Sequence, residues 1–431
     1  MMTGIKNYLY RPYPIAPLAV LRIVFGAVLF ISTLRFIARG WVRDFYLTPK
    51  YHFPFYGFEW LHPMGAAGMY TIYGLMALAA LCICVGFFYR VATALFFACF
   101  AYAELLDKTY YLNHYYLVTL FAFLLIWAPA HRRWSLDVLL RPSLHTLTVP
   151  AWAVFLFRWQ LCLIYFCAGL SKLTADWLLY AEPLRIWLPA RASTPLLGPL
   201  LRQEWAAYFF SWAGALFDLS IPFILMSRQT RLAGYILVVV FHTLTALLFQ
   251  IGMFPYLMMS ATLVFFFDGP VKEPAHRQSR REPALLFLLG LYFLWQVLMP
   301  FRFLLYPGNL LWTEEGYRFS WRVMLMEKGG AAFFYIKDPA TGRRFEVNNA
   351  AFLTAYQERM METQPDMMLQ YAHILERHYR QQGMAHPEVM VESYVTLNGS
   401  GSRLYIDSTI NLAAQQESWF GHKQWILPFK K

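Results

Sequence analysis

The stretch YFCAGLSKLTADW, residues 165–177, closes an apolar run that starts at Ala151. A run of this kind, about 20 residues long, is enough to cross a bilayer as a helix. It also leaves Lys172 at a point where the chain is still in or near lipid. An ammonium at that depth costs about 2.5–3.5 kcal/mol on insertion scales. The lysine must therefore snorkel, be paired or lose its proton.

Similar runs recur along the chain, and nine spans are predicted. They are residues 16–38, 68–89, 91–106, 114–130, 151–173, 204–226, 231–250, 252–267 and 283–304, the third and eighth being short. Of the 431 residues 58% are hydrophobic, 19% aromatic and 14% charged, where a soluble domain carries about 25% charged residues. The chain is therefore a multi-pass membrane protein. Its net charge of +12 reads as membrane topology, and no nucleic-acid partner is expected. Residues 39–66, rich in Trp, Tyr, Phe and Pro, suit the headgroup layer rather than a span. The basic, aromatic N-terminus leads into a full-length span, so no cleavable signal peptide is expected.

Basic residues set the orientation. With nine spans, Lys6, Arg11, Arg90, Arg132, Arg133, Arg141, Arg228, Arg231, Lys272, Arg277, Arg280 and Arg281 fall on one side, which is then cytoplasmic. Arg185, Arg191 and Arg202 lie on the other side and weaken the bias. The N-terminus is expected inside and the C-terminal region outside. Cys82, Cys84, Cys99, Cys162 and Cys167 all lie in apolar runs. They read as packing residues, and their absence from the C-terminal region points to a bacterial cytoplasmic membrane.

The predicted organisation is a membrane domain, residues 1–304, followed by an α+β domain, residues 305–431, with antiparallel sheet. Residues 318–325, 331–338 and 343–349 read as strands, the last two joined by a DPATG turn. A helical stretch over about 350–382 is broken near Pro365. Residues 389–409 read as a second hairpin around NGSGS.

Parity of crossings brings Asn113, His114 and Lys172 to one depth, on the side of the C-terminal domain. Asp218 and His242 lie near the middle of the sixth and seventh spans. Each has an ordinary reading. Lys172 pairs with Asp176 one helical turn on or snorkels; His114 is an interfacial histidine; His242 makes a structural hydrogen bond; Asp218 bonds to a neighbouring helix. Together they point to an internal site. A desolvated ammonium is driven toward the neutral amine, a change that lysine tolerates, and a neutral amine is a general base. An apolar pocket open to the outer leaflet suits a lipophilic quinol held by Asn113 and His114.

Four stretches carry a family likeness: DKTYYLNHYYL (107–117), IYFCAGLSKLTADW (164–177), FHTLTALLFQIGMFPYLM (241–258) and GYRFSWRVML (316–325). The chain resembles the vitamin K-dependent gamma-glutamyl carboxylases and the related bacterial membrane proteins with a horizontally transferred transmembrane domain. The resemblance implies a membrane enzyme of the carbon-carbon lyase class. In that family a lysine base deprotonates vitamin K hydroquinone, O2 converts the anion to a strong alkoxide base, and that base takes a γ-proton from a substrate glutamate. CO2 then adds, giving epoxide and γ-carboxyglutamate. Matched position by position, the resemblance assigns catalysis to Lys172 and His114, vitamin K binding to Asn113 and His242, and glutamyl binding to Tyr317, Trp321 and Lys328. Vitamin K hydroquinone or menaquinol, O2 and CO2 are the implied co-substrates, and a glutamate-containing protein or peptide the implied partner. A strong base requires a dry pocket. Neither metal nor biotin is expected.

Some positions depart from the vertebrate pattern. Ser171 stands where those enzymes have a second lysine. Met326 and Lys328 stand where they carry basic or imidazole groups for the glutamate. The vertebrate interdomain disulfide is impossible here. The hydroquinone-oxidising half is thus better supported than carboxylation, and an oxidase half-enzyme is the alternative. Readings of another class are a haem protein ligated by His114 and His242, and a proton-coupled transporter with Asp218, His242 and Lys172 as a relay.

Overall fold

Residues 7–249, 251–269 and 282–430 are described by the computed structural model. Lys6, Lys272, Arg277, Arg280 and Arg281, which enter the orientation argument, lie outside the described residues.

The predicted spans become helices in chain order. A two-stranded clip, β1 (Pro12–Pro14) with β2 (Thr148–Pro150), ties the start of the first span to the start of the fifth. The helices are α1 (Ala16–Ala38), α2 (Ala66–Val85), α3 (Tyr89–Leu106), α4 (Asn113–Trp127), α5 (Ala151–Ser171), α6 (Glu204–Met226), α7 (Arg231–Leu248), α8 (Phe254–Thr262) and α9 (Glu282–Leu298). A 3-10 turn extends α8 to Phe265 and another extends α9 to Leu305. Seven of these are long and apolar enough to cross a membrane, whereas α4 and α8 are short. At 15 residues, α4 rises only about 22 Å.

Both short helices nevertheless join the two ends of the bundle. At one end Asn113 donates to the carbonyl of Arg322 in the C-terminal domain (2.9 Å). At the other, Arg22 donates to the carbonyl of Cys84 in the last turn of α2 and to those of Ala130 and Trp134 beyond α4. Asp268, beyond α8, accepts from Tyr13 (2.8 Å) and Arg231 (2.9 Å). Residues 39–66 do not form a long helix. They hold one short helix, Trp41–Tyr46, and then run irregularly to α2.

The C-terminal region is α+β, as read. Its sheet is antiparallel, in the order β4-β3-β5-β6, with β3 (Lys328–Lys337), β4 (Arg344–Glu346), β5 (Glu388–Leu397) and β6 (Arg403–Leu404). Alternation buries Phe334 and Ile336 of β3 and Val389, Val391 and Val395 of β5. They pack against α11 (Pro365–Gln381), where Tyr371 meets Phe334 edge-on at 4.7 Å. The helix break falls where it was read, since α10 (Ala355–Met361) ends before Pro365 starts α11. A proline has no N–H to donate and fits the first turn of a helix.

One strand assignment is corrected. Residues 318–325 form no strand, because Phe319, Trp321 and Met324 have φ of +64°, +60° and +57°. That left-handed conformation strains residues with a Cβ. The segment turns repeatedly and lies along the membrane bundle.

The two regions are joined by buried polar contacts. Lys108 pairs with Asp366 at 2.8 Å, and Arg318 pairs with the same carboxylate. Gln357 donates to Asp107 (3.2 Å) and to the carbonyl of Tyr51 (2.9 Å). Burial alone would raise the Asp366 carboxyl, but Arg318 and Lys108 hold it far below the usual carboxylate range. A group with a lowered folded-state pKa stabilises fully above its unfolded value, about 3.9, and loses that contribution as the pH falls further. Asp366→Asn should therefore destabilise the protein most at neutral pH. The difference from wild type should shrink below about pH 4, read by thermal unfolding in detergent across pH. Within the bundle, α9 is tied in by a polar chain: Tyr292 to Gln160 (2.7 Å), Gln160 to Gln296 (3.4 Å) and Gln296 to Tyr116 (2.7 Å).

Candidate functional site

Lys172 follows the last residue of α5, where the helix ends. Thr174 then caps the short helix Ala175–Leu178 by accepting from the N–H of Trp177 (3.3 Å). The break removes the i,i+4 geometry needed for a Lys172–Asp176 pair. Lys172 is buried and pairs instead with Asp218 of α6 at 2.5 Å. Its Nζ also sits 5.4 Å from the Trp177 ring and 3.4 Å from the carbonyl of Ala168. Lysine and carboxylate meet because α5 and α6 touch backbone to side chain at Gly169. A Cβ there would lie 2.8 Å from the backbone N of Leu219. Gly169→Ala should push α6 outward, cost about 1–3 kcal/mol and separate the pair, which thermal unfolding in detergent reads.

The pair lines a cavity of about 120 Å³. Its walls are mostly apolar, among them Trp177, Phe210, Phe249, Phe254 and Met258. His242 lies in the same wall; its Nε2 is 2.9 Å from the hydroxyl of Tyr165, and its Nδ1 is buried with no hydrogen-bond partner among the described residues. Asn113 also reaches this cavity. Its Oδ1 accepts from Tyr111 (3.1 Å), which in turn accepts from the N–H of Phe319 (2.9 Å). One amide proton of Asn113 goes to Arg322, so the other remains for a ligand. Trp321, buried and stacked on Tyr116 (4.9 Å between centroids), closes the wall nearest the C-terminal domain.

His114 is not in that wall. It is buried in α4 and lines a second cavity of about 450 Å³ with Arg35, Glu104, Tyr317 and Arg322. Asn113, Ile251, Phe254, Val323 and Met324 line both cavities. The Phe254 ring lies 5.8 Å from His114 and 5.6 Å from His242. Lys172 and His114 thus flank one partition from adjoining chambers. The single hollow expected between them is two.

Of the residues linked to glutamyl binding, Tyr317 lines the larger cavity and Trp321 the smaller. Burial holds the Tyr317 phenol well above its ordinary value, so it stays a donor. Lys328 lines neither. It is paired with Glu314 (2.7 Å) and donates to the carbonyl of Trp312 (2.8 Å) and to Tyr405 (3.2 Å). Its ammonium is fully engaged inside the C-terminal domain, so the free contact read at that position is absent. Burial also pushes its pKa down, against the opposing charge of Glu314. Met326 packs against the same domain core.

Glu104 and Arg322 were not among the residues read from sequence. An acidic residue inside a predicted span is itself a signal, and Glu104 carries it. Arg322 sits in a segment that reads as a strand, where alternation gives no hint of a cavity.

A family model for the HTTM domain matches residues 10–269, and one for the lumenal domain of vitamin K-dependent gamma-carboxylase matches residues 281–431. The second match begins just ahead of α9, so the final apolar helix is counted with the sheet domain. No solved structure matches the chain. With both models matched in order along nearly all of its length, this membrane protein belongs to the vitamin K-dependent gamma-glutamyl carboxylase family.

Proposed function

We propose that the chain oxidises a vitamin K-type hydroquinone with O2 and couples that oxidation to carboxylation of a glutamyl side chain by CO2. The observation that carries this reading is the Lys172–Asp218 pair, enclosed with the unpartnered Nδ1 of His242 in an apolar cavity. Buried charges are costly even when paired. Lys172 takes the quinol proton, and Asp218 is the store that frees the amine to do so. His242 and the remaining amide proton of Asn113 hold the quinol oxygens. The apolar walls and Trp321 exclude the water that would quench a strong base. Reduced vitamin K, when bound, supplies the oxygen-derived base.

The C-terminal domain is exocytoplasmic in this reading and presents the peptide. The N-terminus is cytoplasmic, and the membrane is a bacterial cytoplasmic membrane. The full engagement of Lys328 favours one alternative, quinol oxidation without carboxylation. The deciding assay supplies purified protein with hydroquinone, O2, labelled bicarbonate and a glutamyl peptide. Epoxide together with fixed label supports the coupled reaction, epoxide alone selects the oxidase, and neither rejects both. Menaquinol in place of vitamin K tests the quinone.

A further inference from the structure

Buried guanidinium groups must be paired, because an ion taken out of water without a partner costs several kcal/mol. Among the described residues, the buried arginines obey the rule with one exception. Arg22 is held by main-chain carbonyls. Arg158 bonds to Tyr13 and the carbonyl of Val264, and Arg231 to Asp268 and the carbonyl of Leu225. Arg322 is equally buried, at 8% exposure, yet its side chain has no hydrogen bond or ion pair among the described residues. Its Nε is completely enclosed without an acceptor. Its guanidinium lies over the Phe303 ring, 4.3 Å from the centroid.

The residue lines the 450 Å³ cavity, where Tyr317 adds a second donor and His114 and Asn113 lie in the wall next to the quinol chamber. The one carboxyl among the described residues lining that cavity, Glu104, makes no hydrogen bond or ion pair with the arginine or with any other described residue. The site therefore offers an enclosed, forked cation with a phenol beside it, in a chamber sharing a wall with Lys172. A fork of N–H donors in a dry site selects a planar carboxylate and binds it at two points.

We infer that Arg322 is the carboxylate receptor of this chain: it takes the side-chain carboxylate of an incoming glutamyl peptide in the His114 cavity, the role that the engaged Lys328 does not fill. The inference rests on the proposed carboxylation of a glutamyl side chain. It moves the specificity contact from the start of β3 to the turn-rich segment beside Trp321. It also places the peptide side chain across a shared partition from the quinol.

The test is a binding measurement, so it does not depend on turnover. Purified full-length protein is titrated with a short glutamyl peptide and with the same peptide carrying glutamine. Wild type should favour the glutamyl form by about tenfold or more, as a charge-assisted bidentate contact does over a neutral one. Arg322→Met should abolish that preference, weakening the glutamyl peptide while leaving the glutaminyl peptide alone. Arg322→Lys, which keeps the charge and loses the fork, should fall between. A general loosening of the fold would weaken both peptides together, so the ratio separates recognition from stability, and Arg322→Lys serves if the methionine variant does not fold. Equal affinity of wild type for the two peptides, or an unchanged preference in the variants, would overturn the inference. The epoxide assay is read separately: glutamyl preference without carboxylation leaves the receptor standing and removes the coupled reaction.

Discussion

Lys172→Ala should lower hydroquinone oxidation by about 10²–10⁴-fold, the usual range for loss of a positioned general base, while the protein remains folded. Lys172 is the one amine among the described residues lining the apolar cavity. The neighbouring nitrogen, His242 Nε2, is already bonded to Tyr165. The Ala side chain leaves a space beside Asp218 that a small amine can enter, so methylamine or ethylamine should restore part of the rate. Epoxide formation at the wild-type rate in Lys172→Ala would remove the base from the mechanism. Asp218→Asn tests the other half of the pair. The amide cannot store the proton, so turnover should fall by a comparable factor even though Lys172 is intact.

The second large effect is on stability. Asp218→Ala leaves the ammonium buried without its partner, and breaking a buried pair in this way costs roughly 3–5 kcal/mol. Removing both charges together, as in Lys172→Met with Asp218→Leu, should return most of that loss, because two apolar side chains suit the surrounding walls. Unfolding of wild type, Lys172→Met, Asp218→Leu and the combined variant in detergent forms a double-mutant cycle. Single-variant effects that simply add would mean that the two groups do not act as a unit.

Much of the architecture was legible in the sequence because period and length determine it. Runs of about 20 apolar residues have few alternatives to a membrane helix, and alternation in residues 331–338 and 389–397 has few alternatives to half-buried strands. The short α4 and α8 were also visible as apolar runs. Residues 318–325 misled, since Phe319, Trp321, Val323 and Leu325 fall at every second position, as in a half-buried strand. Only tertiary contacts, such as Tyr111 to Phe319 and Asn113 to Arg322, hold them in left-handed turns. At the site, the sequence identified Lys172, Asp218 and His242 as charged or polar groups in apolar runs. It could not pair Lys172 with Asp218, 46 residues away, because that contact depends on how closely α5 and α6 approach at Gly169. For the same reason the division into two chambers was invisible: Phe254 and Val323 become a partition only when helix and segment meet.

That partition has a thermodynamic corollary. Val323 and Met324 face both chambers, and the turns around them are strained, so an occupant of either side presses on the same few atoms. Whatever one guest does to the other's affinity must be returned in equal measure. Under the proposed function, quinol and peptide become correspondents: each should report the other's presence, and a titration of one at fixed levels of the other reads the exchange directly.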